Sequence, residues 1–137
     1  MVCPYCGGAT DVINSREQKK SNRVWRRRQC QACNTVFTTH ESAYLEDLYM
    51  VGAAPDKATQ FDPNVLFAEI VSCLRHRQRS YSDAKEITAV TIQKCLKRAS
   101  NGLIRPQDIS QEAAQVLKRF DKQGYLRFYA EHPSLQS

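Results

Sequence analysis

Two Cys-x-x-Cys pairs near the start of the chain are the residues best suited to chemistry. Cys3 and Cys6 stand in CPYC, and Cys30 and Cys33 stand in CQAC. Each pair lets two thiolates reach one metal at about 2.3 Å, and two pairs supply the four sulfurs of a tetrahedral Zn²⁺ site. The stretch between the pairs is slightly longer than the usual ribbon spacing of roughly 15–20 residues, and a longer hairpin takes up the excess. The spacing therefore predicts structural zinc.

Disulfides and a redox-active dithiol are the competing interpretations of these cysteines. A redox dithiol needs one pair at the start of a helix in a βαβ setting, and neither pair has that context. Disulfides suit secreted proteins, but the first residues show neither the basic start nor the apolar run of a signal peptide. Four thiolates would close the metal site, so zinc here would hold the fold and offer no position for catalysis.

Positive charge is concentrated on the segment that carries these cysteines. The formal net charge of the 137 residues is +6. Residues 1–42 contain seven Lys/Arg and three Asp/Glu, whereas the rest of the chain contains 13 and 11. A concentrated basic patch favours phosphate polyanions through counterion release, although most charge runs are solvated faces. No apolar run is long enough to span a membrane, and six cysteines without a secretory signal indicate a reducing compartment, so we expect a soluble cytoplasmic protein.

Alternating β-formers around the cysteines predict a three-stranded zinc ribbon. Residues 11–16 and 24–29 form two strands, and residues 36–39 pair back after the second knuckle. Residues 17–22, which include Lys20 and Ser21, contain no apolar side chain and form the hairpin tip. Period-2 geometry places Trp25 on one face of the second strand together with Arg27, and the two neighbouring arginines on the other face.

The run of Arg26, Arg27 and Arg28 is the strongest indication of a binding partner. Arginine forks match phosphate oxygens and the guanine edge, and they also stack on exposed bases. Since these arginines lie on a metal-held hairpin, we favour nucleic acid over a solvated face. Trp25 beside them is expected to fill the small core of the ribbon. Two other functions remain open, a protein–protein adaptor that docks on transcription machinery and an RNA-binding accessory protein.

The second half of the chain begins with the pattern of a hairpin and a helix. Residues 44–51 are largely apolar, residues 52–56 read as a turn, and residues 59–61 form a returning strand. Asp62 is a favourable N-cap, and Pro63 suits the first helical position. An amphipathic helix is therefore predicted to start directly after the hairpin.

Three further helices are expected from the remaining periodicity. Ser82 is predicted to cap the second helix, which ends at residues 101–102. The third starts near residues 106–110, and Gly124 interrupts the pattern before a last short helix. The fold class is α+β: a ribbon domain over residues 1–43 and a hairpin with about four helices over residues 44–137. The three histidines are dispersed, and no catalytic pattern surrounds them, so we do not expect an enzyme.

The N-terminal motifs resemble the NrdR-type transcriptional repressors, which combine a zinc ribbon with an ATP-cone domain. The matching motifs are CPYCGG, VINSR, WRRRQCQAC and FTTHE, which occur in order over residues 3–41. The resemblance implies a repressor that binds double-stranded DNA at operator boxes, typically ahead of ribonucleotide reductase genes. It also implies that Cys3, Cys6, Cys30 and Cys33 hold zinc. Arg26, Arg27 and Arg28 would face DNA, and Arg16 at the end of VINSR is counted with them.

The second domain resembles an ATP-cone at residues 61–62 and 124–132, but it departs where the family binds phosphate. Residues 53–56 read AAPD where the family has a Lys-Arg-Asp-Gly turn, and Val65 replaces a family lysine. A triphosphate needs cationic partners, so weak or absent ATP/dATP binding is expected. We expect the domain to serve homo-oligomerisation, because repeating a small DNA-binding module raises affinity.

Overall fold

The computed structural model describes residues 1–19 and 22–137, so the middle of the predicted hairpin tip, Lys20 and Ser21, lies outside the described residues. The chain divides into two compact units, Met1–Tyr44 and Leu45–Ser137. This division falls one residue after the boundary expected from the sequence. Each unit is described by itself below.

The first unit is an antiparallel sheet of three strands, and it confirms the predicted ribbon. Strand β1 spans Thr10–Gln18, β2 spans Arg23–Cys30, and β3 spans Val36–Ser42, with β2 in the centre. The pairing of β1 with β2 shifts register between Val12 and Asn14. Both cysteine pairs lie at the end of the sheet where β1 begins and β2 ends.

Very little of this unit is buried. Cys3 and Cys30 are the only fully buried side chains among its described residues. Trp25 is half-buried, and the guanidinium carbon of Arg16 lies 5.9 Å from its ring centroid. The expectation that Trp25 fills a core is therefore wrong, because the ring lies on a sheet face beneath an arginine. The cysteine cluster takes the place of a hydrophobic core.

The second unit contains a small sheet that the sequence predicted only in part. Strands β4, Met50–Val51, and β5, Thr59–Gln60, form the expected antiparallel hairpin, although it is much shorter than predicted. A third strand, β6 at Leu103–Ile104, runs parallel to β4 on its other side. Asn101 and Gly102 precede β6 in left-handed conformations, with φ of 51° and 73°, and they turn the chain into the sheet.

Four helices complete the second unit: α1 Pro63–Cys73, α2 Ser80–Arg98, α3 Pro106–Phe120 and α4 Lys122–Glu131. The Asp62 carboxylate accepts a hydrogen bond from the Asn64 backbone N–H at 2.8 Å, which confirms the predicted cap of α1. The expected capping role of Ser82 is wrong. Helix α2 begins two residues earlier, and the Ser82 hydroxyl instead donates to the Arg79 carbonyl at 3.4 Å.

Gly124 does not break a helix as expected, because it lies within α4. Its N–H donates to the Asp121 carboxylate at 2.7 Å, so Asp121 caps α4. A Cβ at Gly124 would lie 2.7 Å from Leu74 Cδ2, so the glycine allows close packing against the end of α1. Burial alone would raise the pKa of Asp121, but the Gly124 N–H, His76 and Arg77 together hold it below its usual value.

The core of the second unit lies where the four helices meet the small sheet. The fully buried apolar side chains of this core are contributed by every helix and by β6: Ile70, Cys73 and Leu74, Ala84 and Cys95, Ile104, Ala113 and Leu117, and Phe128.

No described helix of the protein is both long enough and apolar enough to cross a membrane.

Candidate metal centre and basic face

The four predicted ligands converge at one end of the ribbon. The Sγ atoms of Cys3, Cys6, Cys30 and Cys33 all lie within 4.8 Å of one another. The Cys3 and Cys33 sulfurs are 3.7 Å apart, and the Cys6 and Cys30 sulfurs are 3.5 Å apart. A tetrahedron with Zn–S bonds of about 2.3 Å has edges of about 3.8 Å, so the cluster fits zinc. The four cysteines are free thiols and form no disulfide.

The two knuckles have the same backbone conformation. In the first, the Gly7 N–H donates to the Cys3 carbonyl, and in the second the Asn34 N–H donates to the Cys30 carbonyl. Gly7 and Asn34 are both left-handed, with φ of 74° and 58°. Glycine and asparagine are the residues that adopt this conformation at the lowest cost. Each CxxC pair is therefore shaped by its own turn to present two sulfurs in the same direction.

Gly8 lies close to the cysteine cluster. A Cβ on Gly8 would lie 3.0 Å from the Ala32 Cβ, 3.3 Å from the Cys30 Sγ and 3.4 Å from the Cys6 Sγ. The first knuckle therefore approaches the second through a residue without a side chain. The sequence shows the glycine, but only the folded ribbon shows what it approaches.

The thiols resist full ionisation unless a cation lies among them. The Gly8 backbone N–H lowers the pKa of Cys6, but the neighbouring thiols of Cys30 and Cys33 outweigh it and raise the pKa to about 12. Hydrogen bonds from the side chain and backbone of Thr35 lower the pKa of Cys33 to about 6. Four sulfurs at these distances become thiolates together only when a divalent metal offsets their charge.

The candidate DNA-binding arginines lie on two opposite faces of the sheet. Arg16 is directly opposite Trp25 in the β1–β2 register, and Arg27 follows two residues later on the same face. Arg26 and Arg28 project from the other face. The structure therefore brings Arg16 and Arg27 together and separates them from the other two.

Arg26 forms an ion pair with a carboxylate, whereas Arg27 and Arg28 each donate to a threonine hydroxyl. Arg26 Nη2 pairs with Glu41 Oε2 at 3.0 Å, and Arg28 Nε donates to the Thr39 hydroxyl at 3.3 Å. On the opposite face, the exposed Arg27 donates through Nη1 to the Thr38 hydroxyl at 3.1 Å. The pairing with Glu41 was missed because the two residues are far apart in sequence and meet only through the β2–β3 register.

In the second unit, residues 53–56 and Val65 occupy the positions at which the resemblance implies cations in the family. Residues 53–56 contribute no basic side chain, and Pro55–Lys57 forms a single 3-10 turn. Val65 lies on the wall of a cavity of about 250 Å³, and no lysine or arginine is among the described residues that line it. Lys57, at the end of this turn, is a basic residue directly after these positions.

Comparison with known proteins gives a consistent result. A family model described as "Transcriptional repressor NrdR-like, N-terminal domain" matches residues 1–41. Proteins named "Transcriptional repressor NrdR" are similar along most of the chain. The one from Leptothrix cholodnii is 34% identical over 129 residues, which cover 93% of this chain and 86% of that protein. The one from Ralstonia nicotianae is 31% identical over 139 residues, covering 99% and 91%.

The family-model match over residues 1–41 and the geometry of the four cysteines both identify the first unit as a zinc ribbon. The match extends through the second unit as well, since the similar proteins cover nearly all of this chain. The chain belongs to the NrdR family of transcriptional repressors, and its four-cysteine cluster is the structural zinc site of that family's ribbon.

Proposed function

We propose that this repressor binds duplex DNA through one face of its zinc ribbon. We call this the basic face and define it by Arg16, Trp25 and Arg27. The observation that carries the proposal is the placement of two arginines side by side on a metal-held sheet, close to an aromatic ring. Diagonal neighbours across a sheet are about 7–8 Å apart, so one DNA backbone can meet both guanidinium groups.

The distribution of acids supports the choice of this face. The first 42 residues contain three acids, Asp11, Glu17 and Glu41. Glu17 and Glu41 are both paired with Val24 in the sheet register, which puts them on the face opposite Trp25. Asp11 is paired with Gln29 and so shares the face of Trp25, but it lies at the cysteine end, where its carboxylate accepts a hydrogen bond from Gln31 at 2.8 Å. The basic face therefore presents positive charge that a phosphate backbone can approach.

Arg26 and Arg28 are assigned a smaller part in DNA binding. Arg26 would have to give up its ion pair with Glu41 before it contacted a phosphate, and exposed ion pairs of this kind hold side chains in place without adding much stability. Arg28 donates to the Thr39 hydroxyl much as Arg27 donates to the Thr38 hydroxyl, so its smaller part follows from the face from which it projects and not from that hydrogen bond.

The second unit is proposed to act as an oligomerisation module that binds ATP or dATP weakly or not at all. Several ribbons joined in one assembly can bind neighbouring DNA boxes, and linkage raises the overall affinity without new contacts. The lack of cations at residues 53–56 and at Val65 supports the proposal that ATP and dATP bind weakly or not at all. Calorimetric titration with dATP tests this proposal, and micromolar binding would contradict it.

A repressor acts where the DNA is, so the proposal implies a cytoplasmic location.

Single arginine variants test the basic face. Fluorescence anisotropy with a labelled duplex should show that Arg16→Ala and Arg27→Ala each weaken binding by about tenfold, the effect of losing one hydrogen bond between charged groups. Arg26→Ala is the matched control, because it removes the same side chain from the opposite face and should cost less than about threefold. Zinc content should stay the same in all three variants.

Two results would refute the assignment. If Arg26→Ala weakens binding more than Arg27→Ala, the opposite face contacts DNA. If the protein prefers single strands and the Trp25 fluorescence is quenched on binding, base stacking dominates and the RNA-binding alternative is correct.

A further inference from the structure

The second unit contains a cavity of about 250 Å³ that neither the zinc site nor the basic face uses. The volume lies a little below the roughly 300–1,000 Å³ of most small-molecule sites, so it suits a small ligand. Most of its wall is apolar and is built from β4, the start of α1 and the start of α3. The apolar side chains are those of Val51, Phe61, Val65, Leu66, Pro106 and Ile109.

His132 presents a hydrogen-bond acceptor at this cavity. Its Nδ1 atom lies 2.8 Å from the Phe128 carbonyl oxygen, and because a carbonyl can only accept, Nδ1 is the donor. The imidazole also stacks on the Phe128 ring with the centroids 4.0 Å apart, which fixes its orientation. In the neutral ring, Nε2 therefore carries the lone pair.

A second acceptor lies next to it. Glu69 Oε2 is 3.9 Å from His132 Nε2, which is too long for a hydrogen bond. With the imidazole neutral, both atoms are acceptors, and neither can satisfy the other. Both residues line the cavity, and the His132 side chain is only 20% exposed. A group that carries several N–H donors and a positive charge would bridge the two atoms.

Two other polar side chains of the wall, those of Asp62 and Ser110, already have hydrogen-bond partners. The Asp62 carboxylate accepts from the backbone N–H and the side-chain amide of Asn64, at 2.8 and 2.9 Å. The Ser110 hydroxyl donates to the Pro106 carbonyl at 3.3 Å. Glu69 and His132 are therefore the two acceptors that one donor group could bridge, and the carboxylates of Asp62 and Glu69 repel an anion.

We infer that this cavity binds a small organic ammonium ion with an apolar arm. The ammonium group donates to Glu69 Oε2 and His132 Nε2, and the arm lies against Val65 and Leu66. The charge of the lining selects a protonated amine and rejects carboxylates and phosphates of similar size. This inference concerns the second unit and does not depend on DNA binding by the ribbon.

Titration of the full-length, zinc-loaded protein with phenethylamine tests the inference by amide NMR at mildly alkaline pH, where histidine is ordinarily neutral. Chemical shift changes should centre on the cavity wall, with a dissociation constant on the order of 1 mM for so small a ligand. Phenethyl alcohol has the same arm without the charge, and hydrocinnamate has the opposite charge. Both should bind at least about fivefold more weakly.

Matched glutamate variants locate the charge. Glu69→Gln should weaken phenethylamine binding at least about fivefold, whereas Glu86→Gln, at an exposed position of α2, should leave it unchanged. His132→Phe keeps the stacking on Phe128 but removes Nε2, and it should weaken binding as well. The inference is overturned if phenethylamine causes no shifts at the cavity, if phenethyl alcohol or hydrocinnamate binds as tightly, or if the two glutamate variants behave alike.

Discussion

Zinc removal should unfold the first unit and leave the second unit folded. The only fully buried side chains among the described residues of the first unit are two of the zinc ligands, Cys3 and Cys30. A unit of this size without a core depends on its metal, and structural zinc contributes about 10–16 kcal/mol in comparable modules. That contribution matches or exceeds the roughly 5–15 kcal/mol by which whole domains are stable, so the ribbon cannot remain folded without it.

The chain offers a separate signal for each unit. Trp25 is the single tryptophan and lies in the first unit, whereas α1–α4 all lie in the second. A strong zinc chelator should shift the Trp25 emission to that of an exposed indole, while the helical signal in far-UV circular dichroism and its thermal transition stay unchanged. Cys33→Ser should reproduce the Trp25 shift, because Cys33 is exposed and its loss acts through the metal.

Thr38→Ala provides a matched control, since it alters an exposed position of the same sheet without touching a ligand. It should leave both signals unchanged. The reasoning is refuted if the Trp25 emission stays the same after metal analysis has shown that zinc is gone. It is also refuted if the helical transition is lost together with the zinc.

Three smaller predictions concern single contacts. Gly8→Ala should weaken zinc binding, measured by competition with a chromogenic chelator, by about 1–3 kcal/mol because its Cβ would press on Ala32 and the cluster. Gly124→Ala should lower the free energy of unfolding by about 1–3 kcal/mol in denaturant titrations, since the clash with Leu74 outweighs the gain of about 1 kcal/mol in helix propensity. The pKa of Asp121 is lowered in the folded state, so its stabilisation is complete above the unfolded pKa of about 3.9 and is lost as the pH falls through the lower folded value. Unfolding curves of Asp121→Asn should therefore show a weaker acid dependence than those of the unchanged protein, and equal dependence would contradict this.

The ribbon could be predicted from sequence because its determinants are local. CxxC spacing fixes the ligands, and the alternation along residues 24–29 fixes which arginines share a face. The ion pair between Arg26 and Glu41 could not be predicted in the same way. It depends on the register of β2 against β3, and nothing in either segment indicates that register.

In the second unit, too, features with local determinants could be predicted from sequence, whereas features that depend on tertiary contacts could not. Asp62 and Pro63 start α1 through the chemistry of the first helical turn, so the prediction succeeded. Strand β6 has only two residues and forms because it pairs with the free edge of β4. A strand this short shows no periodic pattern in the sequence from which it could be predicted. Gly124 was misread because its role is close packing on Leu74. The proximity of Glu69, within α1, to His132, just after α4, is a tertiary feature that carries no sequence signal.

The dependence of duplex binding on salt tests the basic face most directly. For the zinc-loaded protein, the logarithm of the binding constant should fall linearly with the logarithm of salt concentration, by about 0.9 for each phosphate contacted. The double variant Arg16→Ala/Arg27→Ala should reduce that slope by about 1.8 and leave zinc content unchanged. An identical slope in the double variant, or no binding by the zinc-loaded protein at low salt, would contradict the proposal that this face binds DNA.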